Sequence, residues 1–289
     1  MANFGIYFGY WTHDYTGDFK YYVRKAARLG FEVLEVDPGA LLNFPKQELI
    51  ELKKLAEDCN IELTYGLGFP QDCDMASEDE STRKRGLDFA KKIIATVSYM
   101  GGCELPGIMY SCWPGIMNEG ITDKRPYLER SVKGMKEVAK MCEDHGIVHS
   151  IELVNRFEHY LLNTIAEGIA FVEAVGSPNI KLLVDVFHSN IEETDLCGAI
   201  AVAGKHLGYI HLGENNRNLP GRGNMPWKKI ASTIRECSYN GCIVLEPFVM
   251  MGGPVARDVR VWRNLVDNIE EEALDQYAKE SLEFIRSSF

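Results

Sequence analysis

The sequence predicts a single (β/α)8 barrel spanning residues 1–289, and three observations carry that prediction. Strand-like apolar runs alternate with helix-like amphipathic stretches from one end to the other. The alternation counts to eight, and four of the runs in the second half end on a carboxylate or an imidazole. Alternation of this kind demands a parallel sheet with right-handed crossovers. Eight units favour a closed barrel, which takes about 250 residues. An open doubly wound sheet would carry a G-x-G-x-x-G turn after its first strand, and GIYFGYW has none.

Each element has its own signal. FGIYFGY (4–10) reads as the first strand, and DFKYYVRKAARLG as a helix with Asp18 as N-cap and Gly30 as its stop. FEVLEVD (31–37) is the second strand, followed by the amphipathic helix PKQELIELKKLAEDCN. IELTYGLG (61–68) is the third. Ser77 opens S-E-D-E, a capping-box spacing, and that helix runs to about residue 100. The fourth strand, CELPGIMY, is the weakest signal, because Pro106 and Gly107 interrupt it. A helix over about 124–145 leads to the fifth strand, VHSIELV (148–154), and then to the helix TIAEGIAFVEAVG. NIKLLVDVF (179–187) is the sixth strand, 193–206 a helix, and LGYIHLG (207–213) the seventh strand. PWKKIASTIREC is a helix with Pro226 in its first turn. GCIVLEPF (241–248) is the eighth strand, and a tail helix over about 270–287 closes the chain.

The composition narrows the function. Hydrophobic residues make up 46% and charged residues 25%, ordinary values for a globular chain. A net charge of -11 makes nucleic acid and anionic membranes poor partners. No apolar run approaches the roughly 20 residues of a membrane helix, and MANFGIYFGYW does not read as a signal peptide. Eight cysteines lack any C-x-x-C spacing, which points to a reduced, cytoplasmic setting.

The four strand-end residues are Glu152 in SIELVNRFE, Asp185 in KLLVDVFH, His211 in GYIHLGENNR and Glu246 in CIVLEPF. In such a barrel, catalytic groups come from the C-terminal ends of the strands, so neighbours on strands five to eight converge. Three carboxylates and one imidazole suit Mn²⁺, Mg²⁺ or Co²⁺ better than a structural zinc. Any one of them alone could be a buried acid in an ion pair or a helix cap. Four at equivalent positions favour a metal site, because unpaired buried carboxylates are costly. Glu158, His188 and Arg217 lie in the loops that follow and can face a ligand, although a surface salt bridge or an ordinary loop histidine is the plainer reading. Tyr7, Tyr10, Trp11, Tyr15 and Trp113 can stack on a sugar or simply pack the barrel mouth.

IELVNRFE, VDVFHSNIEE, HLGENNRNLPGRG, MPWKKI and VLEPFV, with GIYFGYW in front, closely resemble the ketohexose 3-epimerases of the D-tagatose 3-epimerase/D-psicose (D-allulose) 3-epimerase family. The resemblance runs nearly end to end and is densest over 148–262. It implies a xylose-isomerase-like barrel holding Mn²⁺, or else Co²⁺ or Mg²⁺, on Glu152, Asp185, His211 and Glu246. It implies that Glu158, His188 and Arg217 bind the sugar near its first three carbons, with Tyr7, Tyr15, Ile108, Trp113 and Phe248 around it. Glu152 and Glu246 are the catalytic pair, expected on opposite faces of carbon 3. The implied partner is a free ketose, D-fructose/D-psicose or D-tagatose/D-sorbose, and the implied assembly a homodimer or homotetramer.

The chain departs from the family pattern at LPGIMYSCWPG, at Tyr15 in place of Trp, and at Phe69 in GLGFP. These positions predict an apolar mouth built from Tyr15, Phe69, Ile108 and Cys112, and hence relaxed sugar selectivity. An aldose-ketose isomerase, or a lyase or dehydratase using the same enediolate, remains an alternative on the same barrel. A DNA-repair endonuclease of related fold is disfavoured by seven histidines and a charge of -11. A catalytically dead sugar binder would be expected to lack one of the paired glutamates, and both are present.

Overall fold

The apolar runs of the sequence become nine parallel strands in the computed structural model, which describes residues 2–289. They are β1 (Asn3–Tyr7), β2 (Val33–Val36), β3 (Glu62–Tyr65), β4 (Leu67–Phe69), β5 (Glu104–Cys112), β6 (Val148–Glu152), β7 (Ile180–Asp185), β8 (Leu207–Leu212) and β9 (Cys242–Leu245). Their order is β3-β2-β1-β9-β8-β7-β6-β5-β4, so the two ends of the ladder are β3 and β4. These two are consecutive in the chain and separated by Gly66 alone. The ring therefore closes through the backbone: the third barrel strand is split, its first half pairing with β2 and its second with β5. Nine strands fill the eight places of a (β/α)8 barrel.

Two glycines make that split possible. A Cβ on Gly66 would strike the Glu35 carboxylate, so no larger residue fits while Glu35 points inward. Gly107 has a φ of +122°, and a Cβ there would run into the carbonyl oxygen of Leu67 on β4. The interruption seen in CELPGIMY is thus a device for close strand approach. Far from being weak, β5 is the longest of the nine strands at 9 residues.

The helices are α1 (Phe19–Leu29), α2 (Pro38–Leu41), α3 (Lys46–Asp58), α4 (Glu80–Met100), α5 (Arg125–His145) and α6 (Ile165–Val175), then α7 (Val186–Glu192), α8 (Leu196–Ala203), α9 (Trp227–Glu236), α10 (Gly253–Asp258) and α11 (Glu271–Ser288). Asp18 caps α1 by accepting the Tyr21 N–H at 3.1 Å, and Gly30 ends it, as predicted. Ser77 does not cap α4. Its hydroxyl accepts the Asp79 N–H, and Asp79 is the residue whose carboxylate reaches the free Ser81 and Thr82 N–H groups. Among the described residues the complete capping box is at α6, between Thr164 and Glu167. Pro226 sits at the N-cap of α9, one place before the first turn.

The closing helix α11 is tied to the first β/α unit. The buried Lys25 Nζ lies 2.6 Å from Glu271 and 2.9 Å from Asp275, and Arg28 lies 2.6 Å from Asp275. Tyr10 donates its hydroxyl to the Leu274 carbonyl, while Trp11 stacks on Tyr22 with Lys25 over its ring. Tyr10 and Trp11 therefore pack this seam and do not face a sugar. All eight cysteines are unpaired thiols, and among the described residues no helix is long and apolar enough to cross a membrane.

Gly107→Ala should lower the unfolding free energy by about 2–4 kcal/mol, through backbone strain and the clash with Leu67. Urea denaturation followed by circular dichroism measures this. A loss below about 0.5 kcal/mol would show that the β4–β5 contact relaxes freely.

Candidate active site

Parallel pairing sets the geometry of the site. Glu152 and Asp185 are the last residues of β6 and β7, His211 is next to last in β8, and Glu246 follows directly after β9. Asp185 pairs with His211 in register, and His211 with Val244 two residues before Glu246. One ligand-type atom from each of Glu152, Asp185, His211 and Glu246 falls within 4.8 Å of the others. Asp185 also caps α7, accepting the Phe187 N–H at 2.6 Å through Oδ1, which leaves Oδ2 turned toward the cluster.

His211 is held from behind. Its Nε2 bonds Glu35 Oε2 at 2.9 Å, and its Nδ1 stands 3.5 Å from Glu246 Oε1 with no hydrogen-bond partner although fully buried. Burial by itself would lower the imidazole, but the Glu35 and Glu246 carboxylates outweigh it and raise it well above its ordinary range. Burial also raises Glu152 and Glu246, and their neighbouring carboxylates add to that rise while His211 and Arg217 oppose it. A buried nitrogen facing three carboxylates, with its ring fixed by an acid behind it, is the arrangement that holds a divalent cation. The donor set of three carboxylates and one imidazole fits a cation of the Mn²⁺, Co²⁺ or Mg²⁺ type. Glu35 was missed in the sequence. The available signal was an acid in the middle of the apolar run FEVLEVD, at a position that alternation turns inward.

The loops bring in the other predicted residues. Arg217 Nη1 lies 3.3 Å from Asp185 and 3.1 Å from Glu246, and its Nη2 lies 3.1 Å from Glu158. Its guanidinium lies over the Phe187 ring at 4.0 Å and the Phe248 ring at 5.1 Å. His188 Nδ1 accepts the Asn155 N–H at 3.1 Å, so the ring proton resides on Nε2, 3.6 Å from Glu152 and 3.0 Å from Arg217 Nη2. Burial, then the Arg217 charge, keeps this imidazole neutral. Glu158 accepts from Trp113 Nε1 at 3.2 Å and from Asn155 at 3.3 Å.

These residues surround a cavity of about 450 Å³, also lined by Tyr7, Tyr15, Ile108, Trp113 and Phe248. Phe69 and Cys112 do not line it. Phe69 is fully buried and packs edge-on against Phe89, and the Cys112 thiol turns to Gln71 at 3.4 Å. The lining also includes Asp37, Gln71, Arg257 and Asp258, so the mouth is more polar than the sequence pattern suggested.

A family model described as a xylose isomerase-like TIM barrel matches residues 23–288. D-psicose 3-epimerase of Enterocloster bolteae is 41% identical over 288 residues, covering 99% of this chain and 95% of its own. D-psicose 3-epimerase of Agrobacterium fabrum is 38% identical and covers 98% and 97%. The crystal structure of D-psicose 3-epimerase with D-tagatose from Clostridium cellulolyticum H10 superposes with a TM-score of 0.96 at 40% identity, covering 99% of each chain. The chain belongs to the ketose 3-epimerase family. It is an isomerase-class enzyme, and its barrel is the xylose isomerase-like kind.

The epimerase holds its Arg217 loop on an acid that sequence reasoning overlooked. Arg217 has a φ of +68° and is clamped by its N–H to the Glu214 carbonyl and by its carbonyl to the Phe248 N–H. Glu214 is fully buried, and its carboxylate accepts from Gly221 N–H at 2.7 Å, Met225 N–H at 3.1 Å and Trp227 Nε1–H at 2.7 Å. The sequence offered only its place in HLGENN, three residues before the positive-φ Arg217.

Glu214→Ala strands three donors, two of them buried, and should destabilise the epimerase by about 3 kcal/mol. The first region to open should be 214–227. Thermal melts with limited proteolysis check both, and cleavage elsewhere before this loop would contradict the assignment.

Proposed function

We propose that this epimerase inverts carbon 3 of free ketoses, with Glu152 and Glu246 as its proton-transferring pair. In this reading Glu152, Asp185, His211 and Glu246 hold a divalent cation, Mn²⁺ first, with Co²⁺ or Mg²⁺ as substitutes. The observation that carries it is the convergence of three carboxylates and the partnerless His211 Nδ1 within 4.8 Å, at the end of a cavity of sugar size.

The chemistry follows from the substrate. A ketose has its carbonyl at carbon 2, which makes the proton on carbon 3 weakly acidic. When bound, a divalent cation supplies Lewis-acid stabilisation of negative charge on the substrate's oxygen 2. One of Glu152 and Glu246 removes the carbon 3 proton, leaving a cis-enediolate. The other, protonated, returns a proton to the opposite face, and the centre inverts. Each positioned acid or base contributes about 10²–10⁴ in rate. His188 and Arg217 line one part of the cavity side by side, suited to substrate oxygens near carbons 1 to 3. Glu158, fixed by Trp113 and Asn155, accepts a hydroxyl beside them. Tyr7, Tyr15, Ile108, Trp113 and Phe248 enclose the sugar. D-fructose/D-psicose and D-tagatose/D-sorbose are the expected pairs, in keeping with the sugars in the relatives' names.

The same reading makes residues 1–289 one domain, working in the cytoplasm as a homodimer or homotetramer. Eight unpaired thiols support the reducing compartment. Exposed Phe157 and Trp262, 61% and 68% accessible on loops at the barrel mouth, support association between subunits.

Chelation should abolish activity, and Mn²⁺ or Co²⁺ should restore it with a gain in Tm. The pH dependence of chelated protein has a defined sign. Glu152 is pushed up to about 8 from its ordinary 4.5, so the folded state keeps a proton that the unfolded chain releases, and stability falls as pH rises. The buried His149, His159 and His188 are lowered and oppose this only below their ordinary 6.5. Between pH 6.5 and 8 the Tm of chelated protein should therefore fall, and saturating Mn²⁺ should flatten the curve. Equal slopes with and without Mn²⁺ would place the ion elsewhere.

Glu152→Gln and Glu246→Gln keep the size of the side chain but cannot shuttle a proton. Each should lower turnover by at least about 10²-fold. Proton NMR in D₂O reads exchange and inversion at carbon 3 together. Near wild-type inversion in both variants would refute the two-glutamate scheme.

A further inference from the structure

Outside the carboxylate cluster the cavity lining gathers polar groups around Tyr15: Asp258 bonds its hydroxyl, and Asp37 lies near enough to act on it. Burial, and then nearby charges that include both Asp37 and Glu246, raise the Tyr7 and Tyr15 hydroxyls. The two acids of this part of the lining differ in what they already hold. Asp258 accepts the Tyr15 hydroxyl at 3.2 Å and Arg257 Nε–H at 3.0 Å. Asp37 has only backbone partners, the Gly39 N–H at 2.6 Å and the Ala40 N–H, because it also caps α2. It lines the cavity, and none of the ion pairs formed among the described residues involves it.

A carboxylate has about four acceptor positions, so Asp37 keeps unused capacity on its cavity side. Burial pushes it up to about 6, the mark of an acid with no cation to balance it. A half-buried acceptor of this kind gains from a neutral O–H donor brought by a ligand. We propose that Asp37 accepts a hydroxyl on carbon 5 or carbon 6 of the ketose, making this part of the lining a recognition site for the distal end of neutral, unphosphorylated sugars. The inference rests on the epimerase reading above, which places carbons 1 to 3 at the cluster. Phosphate at the distal end would meet the Asp37 and Asp258 carboxylates, and the one cation there, Arg257, is already engaged by Asp258. Configuration at carbons 4 and 5 can vary while a distal hydroxyl stays in reach, so several ketohexoses pass and deoxy sugars do not.

The test compares kcat/KM for D-fructose, 5-deoxy- and 6-deoxy-D-fructose, D-fructose 6-phosphate and the truncated ketose erythrulose. Deuterium uptake at carbon 3 in D₂O with Mn²⁺ is the readout. The variant is Asp37→Ser, which keeps a helix-capping oxygen on a side chain too short to reach the cavity. For the wild type, one deoxy analogue should fall about 10–100-fold below D-fructose, mainly through KM. In Asp37→Ser that gap should close, and the ratio of D-fructose to erythrulose should fall by a similar factor. Equal turnover of D-fructose and both deoxy analogues by the wild type would overturn the proposal. So would a loss of the same size for D-fructose and erythrulose in the variant, or a preference for D-fructose 6-phosphate. Absence of exchange with every ketose would overturn the epimerase reading itself.

Discussion

The hydrogen bond between His211 and Glu35 is the contact on which the rest of the site depends. It joins β8 to β2 across the barrel interior and turns Nδ1 toward the three carboxylates. Glu35 can occupy that position only because Gly66 has no Cβ, and the absence of a side chain at Gly66 is also where the third barrel strand divides. One small residue therefore serves both the closure of the ring and the orientation of the imidazole. A bond of this kind behind a ligating histidine fixes its ring orientation and makes the facing nitrogen more basic.

Around that bond the charges are arranged to be tolerable. Glu152, Asp185, Glu246 and Glu158 are close together in a site from which water is largely excluded, where like charges repel strongly. Arg217 reaches three of them, and two aromatic rings hold its guanidinium in place. The backbone strain at Arg217 is sustained by Glu214, whose three accepted hydrogen bonds over-determine the loop. The loop that brings Arg217 to the strand-end cluster thus rests on a carboxylate that does not line the cavity.

The alternation of apolar runs with amphipathic stretches was enough to predict the barrel, since period 2 and period 3.6 patterns are local properties of the chain. Strand-end positions for Glu152, Asp185, His211 and Glu246 followed from the same pattern, and parallel pairing then placed them together. Local signals misread the α4 cap and one strand. Ser77 and Asp79 both have capping chemistry, and only the backbone path selects the one whose oxygen meets free N–H groups. CELPGIMY looked like a poor strand because propensity scores Pro106 and Gly107 in isolation, whereas the tight approach of Leu67 requires a glycine there.

By itself the sequence determined the fold, the four converging strand-end groups, and, through its motifs, the family. Those depend on periodicity and on residues at fixed offsets within single elements. Tertiary structure alone decided which side chains stand behind and beyond that cluster. Glu35 and Asp37 come from β2 and its end, far in sequence from the residues they serve, and Phe69 and Cys112 lie in a segment that reads as mouth yet turn away from it. The direction of a side chain at a barrel rim is set by strand twist, bulges and loop path, such as the register shift between Gly68 and Phe69. Contacts between such distant segments leave no periodic trace in the chain.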